Sequence, residues 1–76
     1  MIKVYVGNNV ERWPVLCDPN TTLRAILEQE KIDYSRASMH LDGATLQPGD
    51  LDKTFADLGI RTQCFLLSVQ KLDNAR

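Results

Sequence analysis

A chain of 76 residues with 43% hydrophobic and 25% charged side chains has the material for one small hydrophobic core, which excludes a disordered segment. Nine basic against 10 acidic residues leave a net charge of −1, and no basic stripe overrides that average, so nucleic acid and an anionic membrane are not expected partners. No apolar run approaches the roughly 20 residues that span a bilayer, and two cysteines are too few for a stapled secreted mini-protein or a four-cysteine metal site.

The opening MIKVYV lacks the basic start, long apolar middle and small-residue cleavage site of a signal peptide, so the expected compartment is the cytoplasm. Ile2, Val4 and Val6 alternate with Lys3 and Tyr5, the pattern of a half-buried strand over Ile2–Val6. Gly7-Asn8-Asn9 is turn chemistry, because Gly and Asn tolerate positive φ. A second alternating run, Val10–Cys17, puts Trp13, Val15 and Cys17 on one side and Arg12, Pro14 and Leu16 on the other. Pro14 cannot donate to a ladder, which predicts an edge strand or a bulge. The two runs read as a hairpin, and Asp18-Pro19-Asn20 turns the chain onward.

The one convincing helix is Asn20–Ile32, in which Leu23, Ile26, Leu27 and Glu30 follow i, i+3, i+4, i+7 and so make one stripe of three apolar side chains. Asn20, Thr21 or Thr22 can supply the N-cap oxygen. Arg24, Glu28, Gln29 and Lys31 fall off the stripe and are expected in water. So short a helix is marginal alone and needs a sheet to receive its stripe.

Asp33–Ala37 is polar and expected to be irregular, and Ser38–Leu41 reads as a short strand with Met39 and Leu41 inward and Ser38 and His40 outward. Asp42-Gly43 signals a tight turn into a very short strand at Ala44–Leu46. Gln47-Pro48-Gly49-Asp50 has Pro and Gly where a type II turn prefers them. Thr54–Gly59 reads as one helical turn, with capping-box spacing between Thr54 and Asp57 and a left-handed stop at Gly59. The last strand, Gln63–Val69, is the most apolar and expected to be central. Its Phe65, Leu67 and Val69 form one face and its Cys64, Leu66 and Ser68 the other. Phe65 and Leu67 are expected to join Ile2, Val4, Trp13 and Val15 beneath the helix, and Cys64 and Leu66 to face outward. Residues 71–76 are expected to form a flexible C-terminal tail.

Strands at both ends with one helix between imply an α+β layer, a mixed sheet of four or five strands packed on one helix. The opening hairpin, Pro19 and Thr22-Leu23 at the helix start, Asp42-Gly43 before Leu46, and Thr54-Phe55-Ala56-Asp57-Leu58-Gly59-Ile60 before the last strand carry a resemblance. In their order and spacing, residues 1–70 resemble the ubiquitin-like β-grasp family. The sulfur carriers of thiamine and molybdopterin pathways share the hairpin, a TTLRAIL-type helix and a polar loop like Pro48-Gly49-Asp50. Ubiquitin-like modifiers and sulfur carriers act through a C-terminal Gly-Gly that is adenylated and then joined to an amine or sulfur. Here QKLDNAR follows with no glycine after Gly59, which disfavours a C-terminally activated modifier or sulfur carrier.

The remaining groups make no enzyme signature. Cys17 has the inward register of its strand and reads as a small buried hydrophobe. Cys64 is expected outward but has no neighbouring base to activate it. The β-grasp strand order would place the first strand between the two cysteines, which argues against a disulfide, and the cysteine count excludes an iron–sulfur cluster. His40, the only histidine, has no nucleophile or metal-ligand partner at recognisable spacing. Asp50, Asp52 and Asp57 are too scattered for a calcium loop, and Gly43 and Gly49 do not form a phosphate cradle. No cofactor or metal is expected.

What is left is a surface. The resemblance implies that Tyr5, Leu66 and His40 emerge together on the open face of the sheet, extended by Leu16 and Cys64. Ubiquitin-like proteins commonly use this face for partners, so the expected function is a non-enzymatic protein-interaction module whose partner is an unidentified protein, with a weak homodimer through the same face as a further outcome.

Overall fold

β1 (Ile2–Asn8) follows the alternation of its sequence: Ile2, Val4 and Val6 are buried, Lys3 is exposed and Tyr5 half-buried. The computed structural model describes residues 1–8 and 10–70. Asn9 of the first turn and the tail expected over 71–76 lie outside the described residues. β2 (Arg12–Cys17) returns antiparallel, Ile2 facing Cys17 and Gly7 facing Arg12. Asn8 closes the connection, its Oδ1 accepting from the amides of Val10 and Glu11 at 2.8 Å each. Gly7 has φ +151°, and a Cβ there would lie 2.1 Å from the Glu11 carbonyl oxygen, so no side chain fits this hairpin neck.

The helix α1 (Leu23–Gln29) buries the expected stripe of Leu23, Ile26 and Leu27 but is shorter at both ends than its periodicity predicts. At the start, Asn20 and Thr21 are committed elsewhere. The Asn20 amide donates to Asp18 Oδ1 at 2.8 Å and the Thr21 amide to the Asp18 carbonyl at 2.9 Å, leaving Thr22 Oγ1 to cap Ala25 at 3.1 Å. At the end, Lys31 takes φ 59°. Its amide donates to the Glu28 carbonyl at 3.2 Å and that of Ile32 to the Leu27 carbonyl at 2.8 Å, a Schellman closure without the usual glycine. Ile32 then packs against the core, which supplies the hydrophobic contact such a stop favours. Trp13 Nε1 on β2 donates to Glu30 Oε1 at 2.7 Å and ties the helix end to the sheet edge. The Gln29 amide and this indole hold the Glu30 carboxyl below its ordinary range.

β3 (Ala37–Leu41) buries Met39 and Leu41 as expected and turns through Asp42 and Gly43, both at positive φ, into the two-residue β4 (Ala44–Thr45). In place of the expected type II turn, Pro48–Asp52 forms a 3-10 helix. Asp50 Oδ2 accepts from the Gln47 amide at 3.0 Å and the Asp50 amide donates to the Gln47 carbonyl at 2.9 Å, which draws the segment into a tight turn without a positive φ at Gly49. Thr54 and Asp57 exchange the reciprocal bonds of a capping box at 3.1 and 3.0 Å, and Gly59 stands at φ 81°. This turn sits on the helix start through the Phe55 amide to the Thr21 carbonyl and the Ala56 amide to the Pro19 carbonyl. It drives Phe55, which is wholly buried, into the core.

β5 (Gln63–Gln70) runs parallel to β1 and antiparallel to β3, so the five strands form one mixed sheet in the order β2-β1-β5-β3-β4. The fold class is α+β: one face of the sheet and the helix enclose the core. The last strand is central, as expected, but its faces are reversed. Cys64 and Leu66 are 1% and 0% exposed and belong to the core, whereas Phe65 is 36% exposed. The parallel register decides this. Cys64 lies beside Val4 and Leu66 beside Val6, both inward residues of β1, while Phe65 lies beside the outward Tyr5. Asp42 helps hold that register, exchanging bonds with Phe65 through both its amide (2.9 Å) and its Oδ1 (2.8 Å).

Candidate functional site

The face of the sheet away from the helix is built by alternation on four adjoining strands. β1 contributes Lys3 and Tyr5, β2 Arg12, Pro14 and Leu16, β5 Phe65 and Leu67, and β3 His40. Tyr5 and Phe65 stand side by side in the parallel register, and their rings stack with centroids 4.8 Å apart and planes 16° from parallel. Lys3 Nζ lies 5.8 Å from the Tyr5 centroid and Arg12 Cζ 5.9 Å from that of Phe65. To reach β5 the guanidinium crosses β1 next to Gly7, which has no side chain to block it. Leu16, paired with Lys3, is 65% exposed.

Of the residues expected on this face, Tyr5, Leu16 and His40 stand there. Tyr5 is one ring of the aromatic stack, Leu16 lies beside it across from Lys3, and His40 lies on the far side of β5, opposite Leu67. Cys64 and Leu66 do not, being buried under the helix for the register reason given above. Their places are taken by Phe65 and Leu67, which the hydrophobic pattern alone had assigned to the core.

The two thiols are free and buried. Burial, with Asp42 and Cys17 adding to it, pushes the Cys64 thiol up from 9.0 to about 12, and burial followed by Asp18 raises that of Cys17. Neither forms a thiolate readily, which is the opposite of nucleophile activation. A folded-state pKa above the unfolded value makes the contribution complete below about pH 9 and lost progressively as the pH rises to about 12. In urea titrations across that range, Cys64→Val is expected to flatten the alkaline decline of stability relative to the natural chain. An unchanged slope would place the decline on other groups.

Two clefts of about 260 and 440 Å³ open elsewhere on the surface. The larger is lined by Arg24, Tyr34, Met39 and Leu51 among others, and its Arg24 and Tyr34 are engaged within the chain. Arg24 Nε donates to Asp52 Oδ1 at 2.8 Å and its Nη1 to the Tyr34 hydroxyl at 3.3 Å, while that hydroxyl donates to Glu28 Oε2 at 2.8 Å. Arg24, expected in open water, is thus an ion-paired strut over the Tyr34 ring. Among the described residues no three His, Cys, Asp or Glu side chains are placed to hold a metal ion, and no helix is long and apolar enough to cross a membrane. No family model and no curated protein matches the chain.

Proposed function

We propose that this chain is a non-enzymatic, ubiquitin-like interaction module that binds a protein partner through the open face of its sheet. The β-grasp part of the reading is supported by a compatible architecture: a hairpin, one helix, and a last strand inserted parallel to the first at the centre of the sheet. The observation that carries the functional part is the Tyr5–Phe65 stack with exposed Leu16 beside it. Scattered surface apolars are ordinary. A stacked, partly exposed aromatic pair next to an aliphatic is the composition of an interface anchor.

The test is affinity capture from the source cells with the natural chain and with Tyr5→Ser/Phe65→Ser. Removing an aromatic anchor typically costs about 2 kcal/mol or more, so captured partner is expected to fall at least about thirtyfold while circular dichroism stays native. Equal capture by a folded double variant would refute the face.

A further inference from the structure

The open face is charged in a way that the net charge of −1 conceals. The outward positions of the strands, Lys3 and Tyr5 on β1, Arg12, Pro14 and Leu16 on β2, Ser38 and His40 on β3, Thr45 on β4 and Gln63, Phe65, Leu67 and Val69 on β5, include two permanent cations and no carboxylate. Glu11 and Asp42 lie in the bounding loops, where the Asp42 carboxylate is engaged by the Phe65 amide. Glu28 lies instead on the helix, Glu30 at its C-cap, and Asp52 is paired to Arg24 of the helix. Lys3 and Arg12 make no ion pair within the chain's described residues and rest over the aromatic pair.

From this arrangement we infer that the partner segment is acidic: carboxylates meet Lys3 and Arg12 while an apolar side chain covers the Tyr5–Phe65 edges and Leu16. This rests on the reading of the open face as a contact surface and specifies its chemistry. Three features select this occupant. The cations stand at the border of the apolar patch, the position from which charge sets partner choice and on-rate. Aromatic ring edges, the part of the stack left outward, carry the positive end of the ring quadrupole and tolerate a nearby carboxylate. A second copy meeting this face symmetrically would bring two Lys3 and two Arg12 side chains together, which like charge opposes. Nucleobases need free ring faces for stacking; here each ring has its partner on one side and a cation over it.

The test is selection from a phage-displayed library of random peptides against the natural chain, against Lys3→Glu/Arg12→Glu and against Tyr5→Ser/Phe65→Ser, with all three checked for native circular dichroism. Lys3 and Arg12 are exposed, so their reversal leaves the core untouched. The natural chain is expected to select peptides rich in Asp and Glu around an apolar residue. These should lose affinity about tenfold or more on the charge-reversed variant and weaken with added salt, and the reversed variant should select Lys- and Arg-rich peptides. Selected peptides that depend on Tyr5 and Phe65 but carry no acidic bias would overturn the acidic class and leave the contact face standing. Peptides indifferent to both variants would overturn both. Tighter binding of an oligothymidylate than of any selected peptide, lost on charge reversal, would replace the acidic segment by nucleic acid, and sedimentation of the natural chain as a dimer that Tyr5→Ser/Phe65→Ser dissociates would replace it by a second copy.

Discussion

Leu66→Ser is expected to destabilise the domain severely, and Phe65→Ser, one residue earlier on the same strand, only mildly. Leu66 is fully buried between Val6 of β1 and Leu41 of β3. Its truncation removes a packed aliphatic and strands a hydroxyl among apolar neighbours, a combined cost of about 4–6 kcal/mol. A domain of this size has a total stability of about 4–11 kcal/mol, so between about a third and all of it is lost. Phe65 is 36% exposed, and serine there forfeits the Tyr5 stack and part of a hydrophobic contact, about 1–2 kcal/mol. Urea unfolding of the two variants, followed by circular dichroism, reads the difference. Equal destabilisation would mean that the strand is not held in the register described. The comparison also bears on function, because a loss of binding in a Leu66 variant would report unfolding, whereas in a Phe65 variant it reports the face.

Phe55→Ala is expected to cost about 3–5 kcal/mol, the usual consequence of removing a fully buried ring. Phe55 is the largest of the wholly buried side chains and comes from a segment with no regular helix or strand. Its position depends on the turn that presents it, held by the Thr54–Asp57 capping box and by backbone bonds to Thr21 and Pro19 at the start of the helix. Losing the ring therefore opens a cavity and slackens the contact that anchors the helix N-terminus. The thermal midpoint of this variant should drop by well over 10 °C, since about 1 kcal/mol shifts a domain of this size by roughly 4–8 °C. A drop of only a few degrees would show that the turn collapses to fill the space.

Much of this protein was determined by its sequence alone. The alternation of Ile2, Val4 and Val6, the stripe of Leu23, Ile26 and Leu27, the Asp42-Gly43 turn and the Thr54–Asp57 cap each bury or bond the groups that their spacing predicts, because they depend on neighbours a few residues away. Tyr5, Leu16 and His40 were legible as outward residues for the same reason: one side of each strand is distinctly more polar than the other. The periodicity overstates the helix at both ends: the turn from Asp18 through Pro19 extends to Thr21 and holds Asn20 and Thr21 outside the helix, and the left-handed Lys31 stops it with no glycine to signal the end. The faces of β5 were decided only by the tertiary structure. QCFLLSV is apolar on both sides, so its own pattern cannot choose between them. The choice falls to the parallel register with β1 and the Asp42–Phe65 bonds, contacts separated by tens of residues in the chain. A strand has period two, and one residue of slip exchanges core for surface. That exchange put Leu66 under the helix and Phe65 beside Tyr5, and with it created the aromatic pair between Lys3 and Arg12 on which the proposed function rests.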